Sequence, residues 1–404
     1  MQKKVIIIGI GFASRLGLIR SVAQTGAEIS VIAIGHEEQK PLDSYSKYVS
    51  HYYLCKGNDE AQLLSIIHKH CIDAHQKPIL IPINDFAAMV LDKNLDSLKE
   101  HFLFQHIDNR QGAVTEWMNK EKQKGWASKC GLNVVKSTNI KITNHQYGGI
   151  PTDISYPCFT KTREYTTGYK QTLHRCNSEK ELKTVLDYLS VRHQDITIMV
   201  EDYKEIQTEY ALVGFTDGKN VVIPGIIEIL LMAEGHVKGV ACQGKIMPAA
   251  GFEDTVRRFK EFVLGTHFIG LFDIDFFLAD GILYFDELNL RIGGSGYAVC
   301  KMGVNLPAML VRFFSGEPYG DLKKEITTTA TFVNEKTSFD NWCDGYMSMN
   351  MFRSIRQASD ISFIEDEEDP IPAKHFEDNI RRLRWKVMLK KYPKKIKRFL
   401  KKKL

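Results

Sequence analysis

Apolar residues in the first hundred positions come as short unbroken runs, separated by segments with helical spacing. Positions 4–8, 29–34 and 78–83 read as strands. A run that is apolar at every position suits a strand covered on both faces, as in a parallel sheet. Helices are expected near 14–25, roughly 60–75, and after Asn84-Asp85. This alternation predicts a Rossmann-like parallel α/β domain over 1–112.

Beyond it the pattern becomes strand-rich. A helix near 113–130 precedes strands at 156–161, 196–200, 209–215 and 221–230, with helices at 179–191, 253–266 and 305–314. This predicts an α+β region over 113–325, divided into parts 113–203 and 204–325. From about 330 the pattern weakens. The acidic run 365–369, closed by Pro370, reads as a solvated linker inside a C-terminal extension, 326–404.

The stretch Ile274-Asp275-Phe276-Phe277 … Phe285-Asp286-Glu287-Leu288-Asn289-Leu290-Arg291 reads as an apolar hairpin carrying polar groups at alternate positions. Glu287, Asn289 and Arg291, two apart, share one face of a strand. Two carboxylates and an amide oxygen suit Mg²⁺, a hard cation that shares its coordination with phosphates. Arg291 suits a phosphate or carboxylate. Asp280-Gly281 marks the turn. A two-residue loop would set Asp275 opposite Asp286 and send Glu287 to the other face. A three-residue loop over 279–281, with Gly281 left-handed, sets Asp275 opposite Phe285 and Asp273 opposite Glu287. Asp275 and Glu287 are then diagonal neighbours about 7–8 Å apart, so the three-residue loop is expected.

Composition narrows the class. The chain has 404 residues, 44% hydrophobic and 25% charged, the profile of a soluble protein large enough for two or three domains. No apolar stretch approaches the ~20 residues that span a bilayer. Eight dispersed cysteines without a Cys-x-x-Cys pair fit reduced thiols in the cytoplasm. Net charge is +5, but 381–404 holds thirteen Lys or Arg and no acid, leaving the rest at −8. Basic residues interleaved with Leu383, Trp385, Phe399 and Leu400 suit an anionic membrane surface at the inner face of the membrane, with a solvated or disordered tail as the open alternative. An acidic body argues against nucleic acid. Nothing in the chain encodes its oligomeric state.

Other candidates are weaker taken singly. Gly9-Ile10-Gly11, after a strand and before a helix, resembles a dinucleotide fingerprint, with Ser14 in place of the third glycine and Glu37 near the ribose position. His68, His70, Cys71 and His75 share a helix, where Cys71 and His75 suit zinc; core spacing favours packing for His70 and Cys71. Lys161 ends a buried-looking strand ahead of a polar loop with Gly168, a fit for nucleotide phosphates. The backbone of Glu201, Asp202 and Tyr203 could read an adenine edge, and Glu209 could take ribose hydroxyls.

In this order, Lys120 (Asn119-Lys120-Glu121), Lys161, Glu201–Tyr203, Glu209, Asp275 and Glu287-x-Asn289-x-Arg291 resemble the ATP-grasp superfamily over roughly 1–320. Ser44-Tyr45-Ser46-Lys47-Tyr48-Val49 and Ile79-Leu80-Ile81-Pro82-Ile83-Asn84-Asp85 look like its D-aspartate ligase-like branch of carboxylate–amine ligases. The resemblance implies a two-part ATP-grasp domain behind the Rossmann-like one. It implies ATP phosphates on Lys120 and Lys161, adenine at 201–203 and ribose on Glu209. Mg²⁺, or Mn²⁺ in its place, falls to Asp275, Glu287 and Asn289. Arg291 would steady the phosphoryl group, with Lys245, His236 and Lys238 as further candidates at the anionic intermediate. A small-molecule carboxylate and an amine would be joined as an amide with release of ADP. A dinucleotide-dependent oxidoreductase and a non-catalytic nucleotide-binding protein stay open as alternatives.

Overall fold

The apolar run of strand Lys4–Gly9 lies at the centre of a five-stranded sheet. Its residues 5–9 are all buried, as a strand covered by helices on both faces requires. In the computed structural model, which describes residues 2–35, 41–163, 169–235 and 239–383, the order is Val49–Lys56, Glu28–Gly35, Lys4–Gly9, Ile79–Pro82, Leu103–Phe104. All four pairings are parallel. Two of these strands, at 49–56 and 103–104, lack the unbroken apolar run that marks the other three. Helix Phe12–Ala23 packs against the helices Gly296–Lys301 and Leu306–Phe314. Gly17 permits the approach: a Cβ there would stand 2.4 Å from Cβ of Tyr297. One apolar core therefore runs from the first sheet into the second half of the chain.

Residues 137–202 form a smaller unit. Its antiparallel sheet is ordered His174–Cys176, Cys158–Thr162, Ile196–Asp202, Ser137–Thr143, Gln146–Tyr147. Helix Glu179–Arg192 starts on the Ser178 side chain, which accepts from the Glu181 N–H, and buries Leu182, Leu186 and Leu189 against that sheet.

The largest sheet has ten strands and is mostly antiparallel. At its centre Thr208–Thr216 pairs with Phe268–Ala279, and the latter with Ile282–Asn289. Helix Glu253–Leu264 covers one face, burying Phe259 and Phe262 against Phe276 and Phe285.

Strands Ala330–Val333 and Ile361–Ser362 extend this same sheet. The acidic run that follows is not a solvated linker. Asp369 is fully buried and accepts from Arg20 Nε at 3.0 Å, Ser46 Oγ at 2.8 Å and the Lys47 N–H at 3.0 Å. Asp366 accepts from the Tyr297 hydroxyl at 2.8 Å. Local charge density suggested solvation, but Arg20 and neutral donors of the N-terminal half draw Asp369 in. Cys71 is buried as expected, whereas His70 is exposed and stacks on Tyr53 with ring centres 4.8 Å apart.

Candidate functional site

The hairpin at 274–291 reaches the expected face by a different route. Ala279 pairs with Ile282, so the loop has two residues, Asp280 and Gly281, both left-handed at φ +53° and +73°. Pairing runs in simple register to Phe276 opposite Phe285 and then shifts, putting Glu287 directly opposite Asp275 and Asn289 opposite Asp273. The three-residue loop is therefore corrected to a two-residue turn plus a β-bulge, with Asp286 as the extra residue. Packing explains the bulge. Phe285 and Leu288 are both buried in the aromatic core, yet they are an odd number of residues apart. A strand of period two cannot place both there without one inserted residue.

The cleft face of this sheet carries Asp273, Asp275, Glu287 and Asn289, with Glu209 opposite Phe277 and Ala211 opposite Asp275. On the small sheet, Phe159 opposite Glu201 and Lys161 opposite Met199 form the face away from its helix. Lys161 and Glu201 are diagonal neighbours there, Nζ to Oε1 3.0 Å. The two units meet through charge. Lys161 Nζ donates to Asp286 Oδ1 at 2.8 Å between them, while Lys120, on a helix packed against the large sheet, is ion-paired with Glu287. Lys120 opens helix Lys120–Lys129, capped by Asn119. One turn on, Lys124 pairs with Glu201. A second chain links Asp275 Oδ2 to Asn289 Nδ2 (3.1 Å), Asn289 Oδ1 to Arg291 Nη2 (3.0 Å), and Arg291 Nε to Asp85 Oδ1 (3.0 Å).

Burial dominates the electrostatics. It pushes the Asp275 carboxyl well above its ordinary range, and the nearby Asp273, Glu287 and Asp286 push it further. Burial also raises Glu209, with Asp286 adding to it. For Asp286 the effect of burial is outweighed by Lys161 and Lys120, which hold its carboxyl at about 2. Lys124 is lowered by burial and by Lys161, against the pull of Glu201.

Several residues sit elsewhere than expected. Lys245 lies on strand Ala241–Met247 opposite Glu228, with which it forms an ion pair. Glu228 is opposite Tyr210, and Tyr210 opposite Phe276. Strand parity thus puts Lys245 on the aromatic-core face, opposite to Asp275, and corrects its assignment to the reacting centre. The N–H groups of Asp202 and Tyr203 donate to Lys136 O and Pro157 O at 3.1 and 3.0 Å, so neither is free to read an adenine edge. His236, Lys238, Glu37 and Gly168 lie outside the described residues.

Asp286, Lys124, Asp85 and Asp273 were not singled out by sequence pattern. Lys124 was legible as the i+4 neighbour of Lys120. Asp286 was legible only with the odd spacing of Phe285 and Leu288. Asp85 reaches Arg291 across 206 positions, with no local signal.

No three His, Cys, Asp or Glu side chains among the described residues cluster closely enough to hold a metal alone. The residues still fit Mg²⁺. Asp275, Glu287 and the Asn289 amide present hard oxygens on one face, beside two lysines suited to phosphate, and Mg²⁺ commonly completes its shell with phosphate and water.

A small α+β unit carrying Lys161, set against a large, mostly antiparallel sheet that carries Asp275, Glu287 and Asn289, has the architecture of the ATP-grasp fold. Solved structures with this architecture match most of the chain. The N5-carboxyaminoimidazole synthetase of Staphylococcus aureus, complexed with ADP, is similar at 18% identity and TM-score 0.57, over 82% of each chain. An L-amino acid ligase of Bacillus licheniformis matches at 18% identity and TM-score 0.56, over 82% of this chain and 80% of its own. A biotin carboxylase–ATP complex of Campylobacter jejuni matches at 17% identity and TM-score 0.58, over 80% and 74%. No family model and no curated protein sequence matches the chain.

Proposed function

We propose that this chain is an ADP-forming carboxylate–amine ligase. The observation that carries the reading is that two lysines from separate elements converge on the acids of the hairpin, Lys120 on Glu287 and Lys161 on Asp286. Phosphates of a bound nucleotide would take both lysines in place of these acids, leaving Glu287 to the metal set. In this reading Glu209 receives the ribose, residues 1–112 form the acceptor-side domain, and 113–325 hold the nucleotide. Asp275, Glu287 and Asn289 would hold Mg²⁺, which would supply positive charge against the phosphates.

A carboxylate oxygen of the first substrate attacks the γ-phosphorus, and the bond to the β-phosphate oxygen breaks, releasing ADP. The amine nitrogen then attacks the acyl carbon. The carbon–oxygen bond to phosphate breaks, and one proton leaves the amine. Lys120 and Lys161 face the charge carried by the β- and γ-phosphates. Arg291, fixed by Asp85 and Asn289, faces the transferred group. Fixed charges of this kind need no reorganisation during the reaction, and holding both partners makes the steps effectively unimolecular.

The dinucleotide reading fares worse. The strand order of the first sheet suits it, but the glycine turn is already occupied. The Ile10 N–H donates to Asn84 Oδ1 at 3.3 Å, and the Gly9 carbonyl accepts from Arg15 at 2.8 Å. ADP release measured over pairs of amino acids and simple carboxylates tests the ligase reading. At least one carboxylate–amine pair should raise it tenfold or more over either substrate alone. Absence of release with every pair, together with stabilisation by NAD rather than MgADP, would overturn it.

Among the described residues no helix is long and apolar enough to cross a membrane. The basic segment, described only to 383, supports contact with an anionic bilayer surface. Co-sedimentation with phosphatidylserine vesicles should be lost in a 1–380 protein; equal sedimentation of both forms would remove the idea.

A further inference from the structure

Asp273 lies opposite Asn289 on one side and Val213 on the other, on the face that carries Asp275 and Glu287. It is only 8% exposed, and its Oδ1 accepts no hydrogen bond from any described residue. Its other oxygen is pressed against Gly293, where a Cβ would stand 1.5 Å from Oδ2. Only glycine at 293 leaves the carboxylate its place. The charged groups facing it are Arg291, Glu287, Asp85 and Asp275. Arg291, the cation among them, is already held by Asp85 and Asn289. A buried carboxylate oxygen that accepts no hydrogen bond is costly, and a cationic donor would reduce that cost.

We propose that Asp273 anchors the ammonium group of the amine substrate. The acceptor is then a primary amine that arrives charged, such as an amino acid or a diamine. Where the anchored nitrogen is the one that reacts, it gives one proton to Asp273 before attacking the acyl carbon and loses the second on forming the amide. The inference rests on the ligase reading above. Asp275, Glu287 and Asn289 serve the metal in that reading, and Asp273 is the acid left over, beside the arginine that faces the transferred group. An ionised carboxylate only accepts, while an ammonium brings three donors and no acceptor. The anchor therefore selects amines over amides and over second carboxylates.

The test titrates the twenty common L-amino acids, ammonium chloride and 1,4-diaminobutane into full-length protein saturated with MgADP, by calorimetry. N-acetylated counterparts, which lack the ammonium, run in parallel. At least one amine should bind, and its acetylated form should not. Asp273→Asn should weaken that amine about 30-fold or more, the effect of removing one member of a buried charge pair. MgADP affinity reports that the variant is folded. Gly293→Ala, which displaces the carboxylate without removing it, should weaken the same amine. Three results would overturn the proposal: no amine bound by the wild type, equal binding by Asp273→Asn or by the acetylated form, or a loss confined to Mg²⁺ affinity. Amine binding that depends on Asp273 but never leads to ADP release would instead sink the ligase reading and leave the anchor standing.

Discussion

Glu287→Gln is expected to lower Mg²⁺-dependent ADP release by about 10²–10³-fold, the usual loss when one preorganised charge contact at a reacting centre is removed. The substitution keeps the shape of the side chain, so the hairpin and its bulge should persist. Glu287 stands directly opposite Asp275 and pairs with Lys120. The neutral amide removes a ligand charge from the metal and frees Lys120 from its bridge. Nucleotide without metal should therefore bind no worse than to the wild type, while the gain in affinity on adding Mg²⁺ should largely disappear. The measurement is ADP release beside nucleotide binding with and without Mg²⁺. Turnover near wild type would remove Glu287 from the metal set.

The second large effect concerns stability. Asp369→Ala should destabilise the protein by about 3–5 kcal/mol, because it leaves Arg20 as a buried charge without its counter-ion. Arg20 is 4% exposed and would keep only its bonds to the carbonyls of Phe363, Ile364 and residue 369. Against a typical total of 5–15 kcal/mol this is a substantial fraction. Glu367→Ala, at an exposed position in the same acidic run, should change stability by no more than about 0.5 kcal/mol. Urea midpoints of the two variants compare them directly. Similar midpoints would show that Asp369 does not clamp the C-terminal segment to the N-terminal helix.

Much of the architecture was legible before any coordinates. Unbroken apolar runs at 4–8, 29–34 and 78–83 marked buried parallel strands, since covering both faces leaves no polar alternation to preserve. The strand Val49–Lys56 was less legible because it lies at a sheet edge, where all its residues but Cys55 are exposed or half-buried. Helix starts at Asn119, Ser178 and Asn305 follow capping side chains visible in the sequence.

For the site, residue types and order located the acids, the amide and the arginine of the hairpin, but not how they meet. Period-two alternation fixes which residues share a face only while the register holds, and here the register breaks at Asp286 to keep both Phe285 and Leu288 in the core. The same sequence with a three-residue loop would have satisfied parity by another route. Tertiary packing of two apolar side chains against Phe259 and Phe262 selected the bulge.

What the sequence by itself determined is local: which segments are strand or helix, and which strand carries which chemistry. Only the tertiary structure decided that Lys245 faces away from Asp275, that Asp286 takes Lys161, that Asp85 steadies Arg291, and that Asp369 answers Arg20. The reason is physical. Backbone periodicity and capping act over a few residues, whereas a buried charge is satisfied by whichever opposite charge the packed core brings beside it, 206 positions away for Arg291 and 349 for Arg20.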